Sequence, residues 1–305
     1  MASSSILIAG SGAMACLFGA RLAAHAEVTL LGTWPDGLAA LQRDGVRLEA
    51  GGLETRYPVR VTSDPRRARG ARLALVLVKS WQTRRTADML AECLAADGVA
   101  LTLQNGLGNL EALRAALGLE RAALGVTTMG ATLVGPGRVR AGGTGPTYVA
   151  RHPRLEPHLD LLRQAGFEVE VADDMASVQW GKLAVNAGIN PLTALLHVPN
   201  GALVEDEHAR GVMGEAARET ATVAAALGVR MPYRDAAAQA EEVARRTAAN
   251  RSSMLQDILR GAPTEIDAIN GAVAEAGERV KASVVVNRTL WRLVRAAVEA
   301  AARTP

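Results

Sequence analysis

The residues Ser5 to Gly19 read SILIAGSGAMACLFG, an apolar run that stops at Gly10-Ser11-Gly12 and passes at once into a helical pattern. A strand, a tight glycine turn and a helix are the opening unit of a parallel α/β sheet, so this segment constrains the fold more than any other. Gly10 permits the turn, Gly12 lets a pyrophosphate approach the backbone, and Ala15 is small enough for close strand-to-helix packing. The helix start supplies free amide hydrogens to phosphate oxygens. Gly10, Ser11, Gly12, Ala13, Met14 and Ala15 are therefore candidate cofactor contacts. The plain alternative is a strand-to-helix turn with no ligand; the position at the head of the chain and the flanking elements favour a dinucleotide.

Short apolar runs then alternate with helical patterns: Val28–Leu31, Leu73–Val78, Val99–Leu103 and Ala123–Thr127 read as strands, and Ala13–Ala24 as the first helix. The glycine-rich stretch 135–145, followed by Thr147–Ala150, reads as hairpin or meander strands, and Phe167–Val171 as one strand more. From about Met175 the chain is rich in Ala, Leu and Arg with helical periodicity. The fold class is thus α/β: a dinucleotide-binding domain over 1–172, then an all-α domain over 173–305. Pro191 and the turns Pro199–Gly201, Gly228–Pro232 and Gly261–Pro263 are expected to break the helices apart.

Near the end of the second strand stand Gly32, Thr33 and Trp34, where an acid would hold an adenosine ribose and an arginine a 2′-phosphate. The absence of a carboxylate there favours NADPH, and the absence of an arginine leaves NADH open. Lys79, Ser80 and Gln82 follow one strand, and Gln104, Asn105 and Gly106 another. Both sets lie at strand carboxyl ends, where open α/β sheets bind ligands. For Asn105 an ordinary Asn-Gly turn is the competing reading.

Of 34 Lys and Arg residues only three are lysines, Lys79, Lys182 and Lys281. In so arginine-biased a chain, a retained lysine suits a site that needs an amine able to lose its proton, although chance retention on the surface explains any one of them as well. Lys182, Asn186 and Asn190 stand four residues apart, one polar stripe on an otherwise apolar helix. Such a stripe faces solvent or lines a cleft, and two asparagines, where this chain would put Arg or Glu on a surface, favour the cleft. Further on, Ser253 with Gln256 matches a capping box and Thr264 with Asp267 resembles one. Glu265 would then be a first-turn acid favoured by the helix dipole.

The net charge of +3 comes from scattered single residues, which does not imply nucleic acid. Cys16 and Cys93 have no metal-ligand or disulfide spacing, so no metal is expected and a cytoplasmic setting fits. The apolar run 6–20 lacks a preceding basic residue and is interrupted by glycines, which argues against a signal peptide, and no segment reads as a membrane span.

The ordered set GSGAMA, VKSWQT, LQNGLGN, KLAVNAGINPLTAL, PNG and SSMLQDILRGAPTEIDAING resembles the ketopantoate reductase (2-dehydropantoate 2-reductase) family over nearly the whole chain. The resemblance implies a Rossmann domain and a helical domain, with NADPH and ketopantoate meeting in the cleft between them and ketopantoate reduced to (R)-pantoate, a step of pantothenate and coenzyme A biosynthesis. It implies Lys182 as general acid, with Asn105, Asn186, Asn190, Asn200 and Ser253 holding the substrate. Glu265 would sit beside the nicotinamide ribose and the lysine, while Thr33, Lys79, Gln82, Asn105 and Gly130 would line the cofactor site. Thr33 stands where some members carry the arginine for the 2′-phosphate; Gln82, Thr33 or Arg84 is left to reach that group. Burial should lower the pKa of Lys182 and Glu265 should raise it. A homodimer, a different branched 2-oxo acid as substrate, or a catalytically silent nucleotide sensor are further readings, and the pairing of Lys182 with Glu265 argues against the last.

Overall fold

Ile6, Leu7, Ile8 and Ala9 are each 2% exposed or less, which is why this run carries no polar alternation: a central parallel strand is covered on both faces. The computed structural model describes residues 5–303. Their contacts gather into two units, one reaching Gln104 and resuming over Asn109–Met175, the other made of Asn105–Gly108 and the chain from Ala176.

The first unit contains strands β1 (Ser5–Ala9), β2 (Glu27–Leu31), β3 (Val46–Ala50), β4 (Leu53–Tyr57), β5 (Arg60–Thr62), β6 (Ala71–Val76), β7 (Leu94–Thr102), β8 (Ala122–Thr127), β9 (Ala131–Gly135), β10 (Arg138–Ala141), β11 (Thr147–Ala150) and β12 (Val169–Ala172). Its helices are α1 (Ala13–Leu22), α2 (Pro35–Asp44), α3 (Thr83–Cys93), α4 (Asn109–Leu117) and α5 (Leu159–Gln164). The main sheet runs β12-β11-β8-β7-β6-β1-β2-β5. From β5 to β8 every pairing is parallel, and β11 alone meets its neighbour β8 antiparallel. Strand order reverses at β1, the topological switch point at which such sheets open a ligand crevice.

The expected hairpin or meander over 135–150 divides between two sheets: β9 and β10 form an antiparallel hairpin that begins earlier, at Ala131, and belongs to a separate four-stranded sheet, β4-β3-β10-β9, whereas β11 lies in the main sheet. The sequence reading did not include β3 and β4: their charged residues, Arg47, Glu49, Glu54 and Arg56, mask the strand pattern. Helix α1 packs against this small sheet as well as against β1 and β2. The only two phenylalanines of the chain, Phe18 on α1 and Phe167 before β12, stack with centroids 4.2 Å apart. Such a pair adds about 0.5–1.5 kcal/mol beyond its burial.

The second unit is helical among the described residues: α6 (Met175–Leu196), α7 (Ala202–Glu205), α8 (Glu207–Ala226), α9 (Ala236–Arg246), α10 (Ser253–Leu259), a π-helical turn (Asp267–Gly271), α11 (Ala272–Val280) and α12 (Val285–Arg303). Small residues let these helices approach closely; a Cβ added to Gly188 would lie 2.8 Å from the Met213 carbonyl oxygen.

Pro191 does not end a helix, contrary to the sequence expectation, but lies inside the 22-residue α6. An internal proline withdraws the hydrogen bond to the carbonyl four residues back, at a cost of about 3 kcal/mol. Here that carbonyl, Ala187 O, accepts a hydrogen bond from Asn270 Nδ2 at 3.0 Å, so the helix continues with its acceptor satisfied. No helix among the described residues is long and apolar enough to cross a membrane.

Candidate active site

In the first unit, Gly10 has φ +131°, and a Cβ there would lie 3.0 Å from Leu77 O, so the turn after β1 requires glycine. Gly12 is different. Its φ is −85°, it precedes the first turn of α1, and a Cβ there would meet nothing within 4 Å. No described neighbour demands glycine at this position, so the open space at Gly12, at the start of α1, fits the approach of a phosphate. Ser11 is 7% exposed, and its carbonyl accepts from Cys16 Sγ at 3.6 Å. Burial pushes the Cys16 thiol up to about 12, which leaves it inert at neutral pH.

Thr33 is exposed just beyond β2. At the neighbouring end of β5, the Asp64 carboxylate is occupied by Arg66, at 2.9 and 3.0 Å. Beyond β6, Lys79 N donates to Gln82 Oε1 at 3.3 Å and Gln82 N to Lys79 O at 2.8 Å. Gln104 joins the ends of β6 and β7, with its Nε2 2.9 Å from Val78 O and 2.8 Å from Thr83 Oγ1. Gly130, beyond β8, is clasped by Gly142 and Gly143 through backbone hydrogen bonds of 2.8 and 2.9 Å.

In the second unit the stripe on α6 is not a surface feature: Lys182 and Asn186 are half-buried, and Asn190 is 6% exposed. Glu265 is 5% exposed and accepts from Asn105 Nδ2 at 3.2 Å. Asn105 is aimed there by its own loop. Leu107 N donates to Ala268 O at 2.9 Å, Gln179 Nε2 to Gly106 O at 3.2 Å, and Gly106, at φ +83°, packs so tightly that a Cβ would run into the Ala268 backbone. Burial lowers the pKa of Lys182 from 10.5 to about 8, against the opposing pull of the Glu265 carboxylate.

The two capping boxes, the plain alternative to a functional role, are absent. Ser252, not Ser253, caps α10: its Oγ accepts from Leu255 N at 3.0 Å and from Thr193 Oγ1 at 2.7 Å, while Gln256 Nε2 donates to Arg251 O. The segment turns one residue earlier than expected because Thr193 on α6 gives Ser252 a buried partner, and Ser253 is left out of the cap. Asp267 does not turn back on Thr264; its carboxylate accepts from Trp291 Nε1 at 2.6 Å. Glu265 accordingly precedes the π-helical turn and is not a first-turn acid of an α-helix. π-turns recur at functional sites.

Asn200 is 8% exposed; its Nδ2 donates to Thr247 Oγ1 at 2.8 Å, whose hydroxyl donates onward to Val243 O. That chain fixes the amide orientation and leaves Asn200 Oδ1 buried with no partner in the protein, an acceptor suited to a ligand hydroxyl. The sequence reading missed Tyr233, whose hydroxyl donates to Gly181 O at 2.7 Å beside Lys182, and Gln179. The scarcity of tyrosine, three in the chain, was a usable signal for the first. No group of three or more His, Cys, Asp or Glu among the described residues is placed to hold a metal ion.

Two family models match the chain: "Ketopantoate reductase PanE/ApbA" over residues 6–154 and "Ketopantoate reductase PanE/ApbA C terminal" over residues 174–299. The chain belongs to the ketopantoate reductase family. This family member is 39% identical over 300 residues to a 2-dehydropantoate 2-reductase of Archaeoglobus fulgidus, covering 95% of this chain and 96% of the relative. To that of Halobacterium salinarum it is 37% identical, covering 96% and 98%. Among solved structures, a PanE/ApbA family ketopantoate reductase from Ralstonia eutropha JMP134 is similar at TM-score 0.90 and 33% identity, covering 97% and 99%. The ternary structure of D-mandelate dehydrogenase with NADH and anilino(oxo)acetate shares the fold at TM-score 0.90 and 24% identity, covering the same shares. The reductase is an oxidoreductase of the class that acts on CH–OH donors, built on a Rossmann-type nucleotide-binding fold.

Proposed function

We propose that this chain reduces 2-dehydropantoate to pantoate with NADPH, and that Lys182 is the general acid. The observation that carries the proposal is the half-buried Lys182 ammonium, made acidic by burial and opposed by the Glu265 carboxylate, itself held by Asn105. A pKa of about 8 leaves the amine mostly charged at neutral pH yet far more ready to give up its proton than an ordinary lysine.

The nicotinamide, when bound, supplies the hydride to the keto carbon. Lys182 hydrogen-bonds the carbonyl oxygen and protonates it, so the carbonyl becomes a secondary alcohol and the lysine is left neutral. Arginine in its place would polarise the carbonyl but hold its proton. Asn186, Asn190 and Ser253 fit the substrate carboxylate as neutral donors, and the unpartnered Asn200 Oδ1 fits the substrate hydroxyl. The amides of the Gly10–Ala15 turn would hold the pyrophosphate, with Lys79, Gln82 and Gly130 along the same cofactor. For the 2′-phosphate, the exposed Thr33 and the pairing of the Asp64 carboxylate with Arg66 at the β5 end support NADPH over NADH.

Replacing Lys182 with Ala should lower kcat by about a hundredfold or more, the scale of general acid catalysis. Near-normal turnover in that variant refutes the role. Parallel assays with NADPH and NADH, and with a panel of branched 2-oxo acids, test cofactor and substrate separately.

A further inference from the structure

Pro191 leaves Ala187 O without its helical partner, in the helix that carries Lys182, Asn186 and Asn190. The donor that replaces the missing amide comes from a different part of the unit. Asn270 is 0% exposed; its Nδ2 lies 3.0 Å from Ala187 O and 3.0 Å from Asn287 Oδ1. Asn270 sits in the π-helical turn that begins two residues after Glu265, with Ile269 N bonded to Glu265 O at 3.1 Å and Gly271 N to Ile266 O at 3.0 Å.

The anchor does not end at Asn270. Asn287, also 0% exposed, donates to Ala216 O at 2.9 Å and to Glu219 Oε2 at 2.9 Å. The Glu219 carboxylate in turn accepts from the amides of Val286 and Asn287, capping α12. A proline that opens a gap in α6 and an asparagine that fills it therefore form one device, braced on α8 and α12. Each half is costly alone: a proline without the donor orphans a buried carbonyl, and a buried amide without the carbonyl orphans its own N–H.

From this geometry we infer that Asn270 is a positioning residue of the reduction: it fixes the turn that presents Glu265 to the stretch of α6 that presents Lys182, through the carbonyl that Pro191 vacates. The inference rests on the function proposed above. A continuous α-helical bond at Ala187 would satisfy the carbonyl just as well, but would leave the Glu265 turn untied from α6. The proline makes the helix depend on the turn.

The test uses Asn270→Ala, Pro191→Ala and their combination in the full chain, with Asn287→Ala as a control that disturbs the same buried network on the side away from α6. Asn270→Ala should lower kcat roughly ten- to a hundredfold, the scale of a small misplacement of reacting groups, with KM changed far less. It should also move the alkaline limb of the pH profile to lower pH, because Glu265 is then held less firmly against Lys182. Adding Pro191→Ala restores a backbone amide for Ala187 O and should recover much of the loss. Asn287→Ala should lower the melting temperature while leaving the limb in place.

Wild-type kcat and limb in Asn270→Ala overturn the inference, and so does an equal loss in both Pro191 backgrounds. Folding of Asn270→Ala only in the Pro191→Ala background supports it, whereas failure to fold in both overturns it, since the role would then be one of core stability alone. An enzyme inactive on 2-dehydropantoate would refute the proposed function and not this link, which the non-additive melting temperatures of the two substitutions test without substrate.

Discussion

Replacing Glu265 with Gln removes one charge and keeps an oxygen that can accept from Asn105, so it isolates the electrostatic part of the site. Lys182 stands at a pKa of about 8 because burial lowers it more than Glu265 raises it. Taking away the opposing carboxylate leaves burial unopposed. An opposite charge at close range is worth about one to three pKa units, so the variant's lysine should titrate between about 5 and 7. At pH 8 half of the wild-type lysines carry the proton. A drop of one unit leaves about a tenth of them charged, and a drop of three about a thousandth, so turnover at pH 8 should fall about fivefold to five-hundredfold. The loss should shrink as the pH is lowered, because both enzymes then hold the proton. The assay is kcat/KM for the 2-oxo acid across pH 5 to 9.5, followed by oxidation of the reduced cofactor; the separation between the two alkaline limbs is the quantity read. A loss of the same size at every pH would refute the reasoning, for Glu265 would then act in binding and not on the lysine's proton.

Two further pairs of variants separate ligand contacts from scaffold. Gly12→Ala should fold with less than about 1 kcal/mol lost, since its Cβ meets nothing, yet weaken the dinucleotide about tenfold or more; Gly10→Ala, strained at φ +131°, should cost about 1–3 kcal/mol in stability. Thermal melts and cofactor titration by fluorescence check both, and equal cofactor affinity in Gly12→Ala and wild type would remove that residue from the site. Ser252→Ala should lose about 1 kcal/mol or more of stability as its cap and its bond to Thr193 disappear, whereas Ser253→Ala should melt like wild type and raise KM more than it lowers kcat.

The α/β class and the parallel strands were legible because a buried parallel strand writes itself as an unbroken apolar run, as in Ile6–Ala9 and Leu73–Val76. The small sheet was not legible: β3 and β4 show charged residues, and what makes them strands is pairing with each other and with β10, far along the chain. The stripe of Lys182, Asn186 and Asn190 was readable because helical spacing is local. Pro191 misled for the same reason. Its local rule holds, but the penalty is met by Asn270, a partner 79 positions further on, which no window of sequence contains. The capping boxes failed similarly, since Ser252 and Ser253 are equivalent as letters and only Thr193 on α6 distinguishes them.

The rarity of lysine in this chain acquires a physical reading from these same facts. A folded-state pKa of about 8 against 10.5 means that the fold binds this proton less tightly than the unfolded chain does, so the penalty is full below about pH 8 and fades as the pH rises through 10.5. At neutral pH it is of order 3 kcal/mol, an upper figure because the side chain keeps some contact with water. Arginine would bring its charge into the same place without ever releasing a proton, and so would carry the cost of burial with no chemistry to offset it. On the proposed role of Lys182 as general acid, a chain that otherwise prefers arginine has a reason to keep lysine at this position, and that reason rests on the Glu265 carboxylate, which opposes the loss of the amine's charge.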